Sequence, residues 1–369
     1  MLGRETYTGD VAFEVRGHLG MITLNRPKAL NALTQLMCES ILIQLQDWAE
    51  DPTVAQVLIR GAGDRGLCSG GDISSVYRDM LEHQPRDGGG LLPESTPSYA
   101  AAMPAEEFFA VEYRMNLTIA EYPKPYIALM DGVVLGGGVG VSAHGSHRVV
   151  TERSRVGMPE TTIGFSPDVG GTYLLPRSPG NTGLHLGLTG IHLTAADAIF
   201  TGLADTFVPA EALEELTQQL TEHPVDQILP RYATHPGDSA VEQDAEWIDA
   251  AYSAGTVEEI LEELEEHSSS YPGAQQAAAA LRAKSPTMLK VALEAIRRGA
   301  QLSLSGALAQ EYTIAIHALR SHDFREGIRA QVIDKDRTPR WSPGQPETVD
   351  EDLVAHYFTP VPGKLLSLE

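Results

Sequence analysis

Apolar and polar residues alternate along Val11-Ala-Phe-Glu-Val15 and again along Met21-Ile-Thr-Leu24, with Gly17 and Gly20 between the two runs. Period-two alternation about a glycine turn predicts a hairpin of two strands, ended by Asn25-Arg-Pro27. From Ala32 the period changes. Leu33, Met37, Ile41, Leu45 and Trp48 recur at three- and four-residue steps, one face of an amphipathic helix that stops near Asp51-Pro52. Residues 54–60 read as a buried strand, and 61–72 as a loop too rich in glycine for regular structure, leading into a helix. A Pro/Gly-rich insert over 84–97 follows. Beyond it the pattern predicts a helix over 106–121, a strand over 126–130, a glycine run at 136–140 that opens a short helix, and a strand over 148–151.

Strand and helix thus alternate with short turns, the pattern of an α/β architecture with parallel strands and crossover helices. Past about Pro209 the character turns helical, with acidic stretches such as 258–266 that read as solvated helix faces and a breaker at Tyr271-Pro-Gly273. The division expected is a core over 1–205 and a mainly helical region over 206–369 that covers the active site. At 369 residues the chain is longer than one core usually organises, which fits a main domain with an appendage. No internal repeat stands out.

Charge narrows the partners. With 27 Lys+Arg against 50 Asp+Glu, a formal charge of -23 makes the average surface repel nucleic acid and anionic membranes, so neither is expected as a partner. The same field opposes any anionic ligand unless lysines, arginines and main-chain N–H groups stand locally around it. Cys38 and Cys68 are too few for a disulfide framework and suit a reducing compartment. The first 15 residues hold Glu5, Asp10 and Glu14 and lack both an apolar signal core and an Arg-rich pattern, so a cytoplasmic location is expected. No apolar run reaches the roughly 18 residues that span a bilayer.

Two glycine loops, Ser69-Gly-Gly-Asp72 and Gly136-Gly-Gly138, each sit between an expected strand and helix. There, free N–H groups can stabilise a developing oxyanion; equally, the glycines can serve only tight turns. Met158-Pro-Glu160 and Pro167-Asp168 set two carboxyls in proline-fixed loops, where unlike surroundings would give them unlike pKa values suited to acid/base or nucleophilic work. A helix cap and a surface turn are the plainer reading. Gly138-Val-Gly-Val-Ser-Ala143 fits a loose dinucleotide pattern, but the following strand ends too early for the ribose-binding acid. Gly140-Val-Ser-Ala-His144 misses the nucleophile elbow at its fifth position. His144 and His147 lack further ligands and read as a surface pair rather than a metal site.

Taken in order, Asn25-Arg-Pro-Lys-Ala-Leu-Asn-Ala-Leu33, Leu67-Cys-Ser-Gly-Gly-Asp-Ile73, Gly132-Val-Val-Leu-Gly-Gly-Gly138 and Pro159-Glu160 resemble the signature of the crotonase (enoyl-CoA hydratase/isomerase) superfamily. The resemblance implies a spiral of ββα units that binds acyl-CoA, with the N–H groups of Gly71 and Gly137 as the oxyanion hole. Lys28, Ala29, Leu30, Ser69, Asp72 and Ile73 fall where the superfamily holds CoA. Hydratases of this family carry two catalytic glutamates; the position of the first is Gly140 here, and only Glu160 remains. The segment 158–171, with its acid pair on Glu160 and Asp168, is instead similar to the branch that hydrolyses short 3-hydroxyacyl-CoA thioesters. So are Glu112-Tyr113, with Glu112 as a substrate-site acid, and the stretch 322–336. The implied activity is hydrolysis of such a thioester, foremost 3-hydroxyisobutyryl-CoA, to the free acid and CoA, as in valine breakdown. CoA is then part of the substrate, and no cofactor or metal is expected. Family members commonly form trimers or hexamers, so a homo-oligomer is expected. The alternatives are a hydratase or isomerase reaction with Glu160 as sole base, and a noncatalytic acyl-CoA-binding protein.

Overall fold

A computed structural model describes residues 5–7, 9–83, 99 and 102–368. The insert read over 84–97 lies outside the described residues. The chain opens with β1 (Glu5–Tyr7), β2 (Val11–Arg16) and β3 (Leu19–Leu24), paired antiparallel in sequence. Helix α1 (Gln35–Glu50) follows, capped by Thr34, whose hydroxyl accepts from the Met37 amide at 3.3 Å. It buries Met37, Cys38, Ile41, Leu45 and Trp48, the face its periodicity marks.

Three times after this the chain lays down a strand in the main sheet and then a short strand in a second sheet. β4 (Gln56–Gly61) is followed by β5 (Gly66–Cys68), then α2 (Ile73–Glu82) and α3 (Pro104–Ala120). β6 (Tyr126–Met130) is followed by β7 (Val133–Leu135) and α4 (Gly137–Gly140). β8 (His147–Val150) is followed by β9 (Arg155–Gly157), and β10 (Thr206–Phe207) closes the main sheet. The main sheet runs β1-β2-β3-β4-β6-β8-β10, parallel from β3 onward, and the small one β5-β7-β9, parallel throughout. This is the α/β spiral of ββα units. The repeat is geometric only, since the three turns share little sequence.

One expectation is corrected. The glycine-rich stretch 61–72 is not all loop, because β5 lies inside it. A Cβ on Gly66 would stand 2.4 Å from the Val133 amide nitrogen, so glycine there lets two strands approach rather than breaking one.

One face of the main sheet packs, with α1 and α3, into an apolar interior that runs without a break from Val11 to Val361 and so crosses position 205. The other face, through Met21, Leu58, Ile127 and Val149, packs against the helices Leu213–Leu220 and Val225–Tyr232. Past 209 the regular structure of the described chain is helix alone, through His356. None of the described helices is long and apolar enough to cross a membrane.

Candidate active site

A cavity of about 520 Å³ opens where the small sheet's strands end. Gly71, Gly137, Glu160, Asp168, Glu112, Lys28, Ala29, Leu30, Ser69, Asp72 and Ile73 all line it. The structure therefore brings every candidate site residue to one place.

The amide side is built from backbone. Gly71 pairs with Leu33 in a single parallel bridge: the Leu33 amide donates to the Gly70 carbonyl at 2.9 Å and the Asp72 amide to the Leu33 carbonyl at 2.7 Å. In that register the neighbours of Gly71 make the bridge, and its own N–H points away from Leu33. Gly137 is the first residue of α4, and the leading N–H groups of a helix have no intrahelical acceptor. The two glycines lie side by side, since a Cβ on Gly137 would stand 3.3 Å from the Gly71 nitrogen and 2.5 Å from Glu112 Oε1. Gly136 has φ +50°, and a Cβ there would meet Glu160 Oε1 at 2.6 Å. Glycine is required on this loop by conformation and by the approach of two carboxyls.

Upstream, Asn31 fixes the loop that carries Lys28, Ala29 and Leu30. Its side chain accepts from the Arg26 amide and donates to the carbonyls of Ala62 and Gly66. Arg26 in turn pairs with Asp72 at 3.0 Å. Exposed Lys28, Arg65 and Lys335 stand around the cavity, the local cations that an anionic ligand needs against the net charge of -23.

The acid side is built from side chains. Glu160 begins a short 3-10 turn (Glu160–Ile163), and Asp168 precedes Val169, whose φ of +52° is left-handed. Both acids are 6% exposed, so neither is a surface turn residue. Burial, then the charge of Asp168, pushes the carboxyls of Glu112 and Glu160 well above the usual range. Burial also raises Asp168, to about 7, while a hydrogen bond from the Tyr113 hydroxyl at 2.8 Å pulls the other way. Glu160 Oε2 and Glu112 Oε1 have no hydrogen-bond partner among the described residues. The two acids thus differ as their loops predict: Asp168 is held by a phenol and straddles ionisation near neutrality, and Glu160 keeps a bare oxygen.

A left-handed β-branched residue costs about 1–3 kcal/mol. Glu311, on the helix Leu304–Ala318, offsets it: its oxygens accept from the amides of Gly170 at 2.7 Å and Thr172 at 2.8 Å and from the Thr172 hydroxyl at 2.6 Å. Such bonds are worth about 0.5–1.5 kcal/mol each, so three together offset strain of that size. The His144 ring Nε2–H donates to the Val169 carbonyl at 2.7 Å, whereas His147 pairs with Asp226 at 3.0 Å. The two histidines are therefore not a surface pair; one lies under the acid loop.

At position 140 a side chain has no room. A Cβ there would meet Val169 Cβ and Asn116 Nδ2 at 2.8 Å each.

Sequence reasoning gave no role to Tyr113, Phe109, Phe165 or Glu311. Phe109 and Phe165 stack at 5.6 Å and line the cavity. Glu311 has a sequence signal, since it falls on the buried stripe of Ala307, Leu308, Ile314 and Ala315, where an acid is out of place unless held.

Residues 19–358 match the model of a family described as enoyl-CoA hydratase/isomerase. A mitochondrial 3-hydroxyisobutyryl-CoA hydrolase of Danio rerio is 40% identical over 97% of this chain and 92% of its own length; that of Homo sapiens is 38% identical over 94% and 88%. Among solved structures, a carnitinyl-CoA dehydratase from Mycobacterium thermoresistibile superposes with a TM-score of 0.89 at 43% identity, covering 98% of this chain and 99% of that one. An enoyl-CoA hydratase from Rhodobacter sphaeroides superposes with a TM-score of 0.85 at 39% identity, covering 97% and 100%.

Proposed function

The chain belongs to the enoyl-CoA hydratase/isomerase family, and from that premise we propose that it hydrolyses 3-hydroxyisobutyryl-CoA to the free hydroxy acid and CoA, as in valine breakdown. The observation that carries the reading is the acid pair: Glu160 and Asp168 face one cavity in unlike environments, while position 140 has no space for a second glutamate. Relatives named as hydrolases of this thioester match nearly the whole chain.

The thioester oxygen sits between the N–H groups of Gly71 and Gly137, which stabilise the charge it gains. Glu160 attacks the carbonyl or takes a proton from an attacking water; either route gives a tetrahedral adduct. Collapse breaks the C–S bond, and Asp168 assists proton transfer to the leaving thiolate or orients the substrate hydroxyl. Where Glu160 is the nucleophile, water then hydrolyses the anhydride. Glu112 contacts the acyl portion, and Lys28, Ala29, Leu30, Ser69, Asp72 and Ile73 hold CoA.

A second reading, hydration or isomerisation of an enoyl-CoA, is favoured by the names of the two solved structures, a dehydratase and a hydratase. One experiment separates the readings. Free thiol and enoyl absorbance are followed across short acyl-CoA thioesters with and without a 3-hydroxyl. Thiol release that prefers the hydroxylated members is expected, because polar groups built to meet a hydroxyl are left unpaired by the analogue that lacks it. Loss of enoyl absorbance without thiol would overturn the hydrolase, and neither signal would favour a binding protein.

A homo-oligomer, trimer or hexamer, belongs to the same proposal and is read by light scattering. The cytoplasmic reading rests on the reducing surroundings that two unpaired buried cysteines suit. The vertebrate relatives are named as mitochondrial, so cell fractionation decides it.

A further inference from the structure

Glu311 lies outside the acid pair and does not line the cavity. It is 1% exposed, yet an acid so buried is used only to receive three donors from residues 170 and 172. Those residues flank the left-handed turn at Val169 and Gly170, with φ +52° and +82°. The turn sets the direction in which Asp168 leaves the chain. From the other side the turn is fixed by His144 on the Val169 carbonyl, and Asp168 itself by the Tyr113 hydroxyl. Tyr113 and Tyr312, the residue after Glu311, meet edge to face at 6.4 Å. The helix Leu304–Ala318 thus touches both supports of Asp168.

We propose that Glu311 is a positioning residue of the hydrolase: it clamps the left-handed turn that aims Asp168 into the cavity, so a helix of the carboxyl-terminal region belongs to the catalytic apparatus. The inference rests on the hydrolase reading. Without the clamp, Val169 relaxes to an ordinary conformation, because only glycine occupies the left-handed region freely. Asp168 then loses its hydrogen bond from Tyr113 and turns from the substrate. Its neighbours are otherwise Glu112, Glu160 and Glu311, all acids, so a freed Asp168 moves toward water.

The test uses the full chain and 3-hydroxyisobutyryl-CoA. Glu311→Gln keeps the shape but sets an NH₂ against the donors. It is expected to lower kcat on the order of 10²-fold, the cost of a displacement of about 1 Å, with KM little changed. The limb of the pH profile set by Asp168 moves to lower pH, because the water that reaches the carboxyl outweighs the loss of its bond from Tyr113. Adding Val169→Gly makes the turn free of strain, and partial recovery of kcat over Glu311→Gln alone is expected. A role in stability alone would lower the melting temperature and leave kcat per folded site, the pH limb and the rescue unmoved; that result would overturn the clamp. If Glu311→Gln does not fold, Thr172→Val, which removes only the hydroxyl donor, takes its place. A several-fold fall in kcat with the same pH displacement supports the clamp, and wild-type kcat with an unmoved limb ends it. Wild-type protein that releases no thiol overturns the hydrolase reading instead, so the two failures are distinct.

Discussion

One part of the cavity offers main-chain amides from Gly71 and Gly137, each a few residues past a strand of the small sheet. The other offers the carboxyls of Glu160 and Asp168, whose loop is held by Glu311, 141 positions beyond Gly170. The first needs only local geometry: a strand end, a glycine and, at Gly137, the opening of a helix point the donors. The second must keep acids buried, where their charged forms are penalised, and so draws supports from α3 and from the helix Leu304–Ala318. Amides cannot titrate, whereas the acids are tuned by whatever packs on them. The amide part should therefore respond to shape and the acid part to chemistry, and substitutions can separate the two.

The largest effect is expected on the acid part. Glu160→Gln is isosteric and leaves the amide pair intact, so substrate binding persists while thiol release from 3-hydroxyisobutyryl-CoA falls about 10²- to 10⁴-fold, the usual cost of losing a general base. Steady-state kinetics that show near wild-type kcat would mean that the amides alone carry the reaction, and the contrast would collapse. On the amide part, Gly137→Ala sets a methyl 3.3 Å from the Gly71 nitrogen and 2.5 Å from Glu112 Oε1. It removes no charge. A loss of about 10²- to 10³-fold in kcat is expected, as for one oxyanion donor, with the pH profile unchanged. A displaced profile would show that the two parts are not independent. Gly71→Ala is milder, since its methyl meets the Phe108 ring at 2.9 Å and a side chain can give way.

The same contrast explains what was legible in the sequence. Gly71 and Gly137 sit in contiguous motifs, and the ordered resemblance reached them by number along with Glu160 and Asp168. The hairpin, α1 and the main-sheet strands β4, β6 and β8 followed from the pattern of apolar positions, which local burial produces directly, whereas the short strands β1 and β10 at the sheet's edges did not. The missed pieces depend on tertiary packing. β5 was hidden because glycine there serves strand contact rather than a turn. The ββα repeat was implied by the resemblance alone, because each turn meets different neighbours and keeps no common sequence. Tyr113 could not be assigned without knowing that α3 crosses above Asp168. Glu311 showed one local sign, an acid on an apolar stripe, but its partners at 170 and 172 are far along the chain.

The change most specific to the acid part, and the one read chiefly in pH dependence, is expected from Asp168→Asn. Burial raises the Asp168 carboxyl from 3.8 to about 7, so the folded protein keeps a proton that the unfolded chain releases. Stability from this group is present below about pH 4 and is lost as the pH rises through about 7, the range in which the folded state binds more protons. Glu311, raised by burial to about 8, extends the window upward. The melting temperature of the wild type should thus fall between pH 5 and 8, and Asp168→Asn should flatten the lower part of that slope by a few kcal/mol, roughly, over the window. In the kinetics, kcat/KM of the wild type should bend near pH 7 as Asp168 titrates, falling above it where the acid supplies a proton to the thiolate and rising where the carboxylate orients the hydroxyl, and the asparagine variant should lose that limb while keeping the amide part's binding. A melting curve and a rate profile in which the variant keeps the wild-type slopes would assign the titration to Glu160 or Glu112. The acid with the bare oxygen would then be the one tuned to neutrality, and the phenol-held one would be structural.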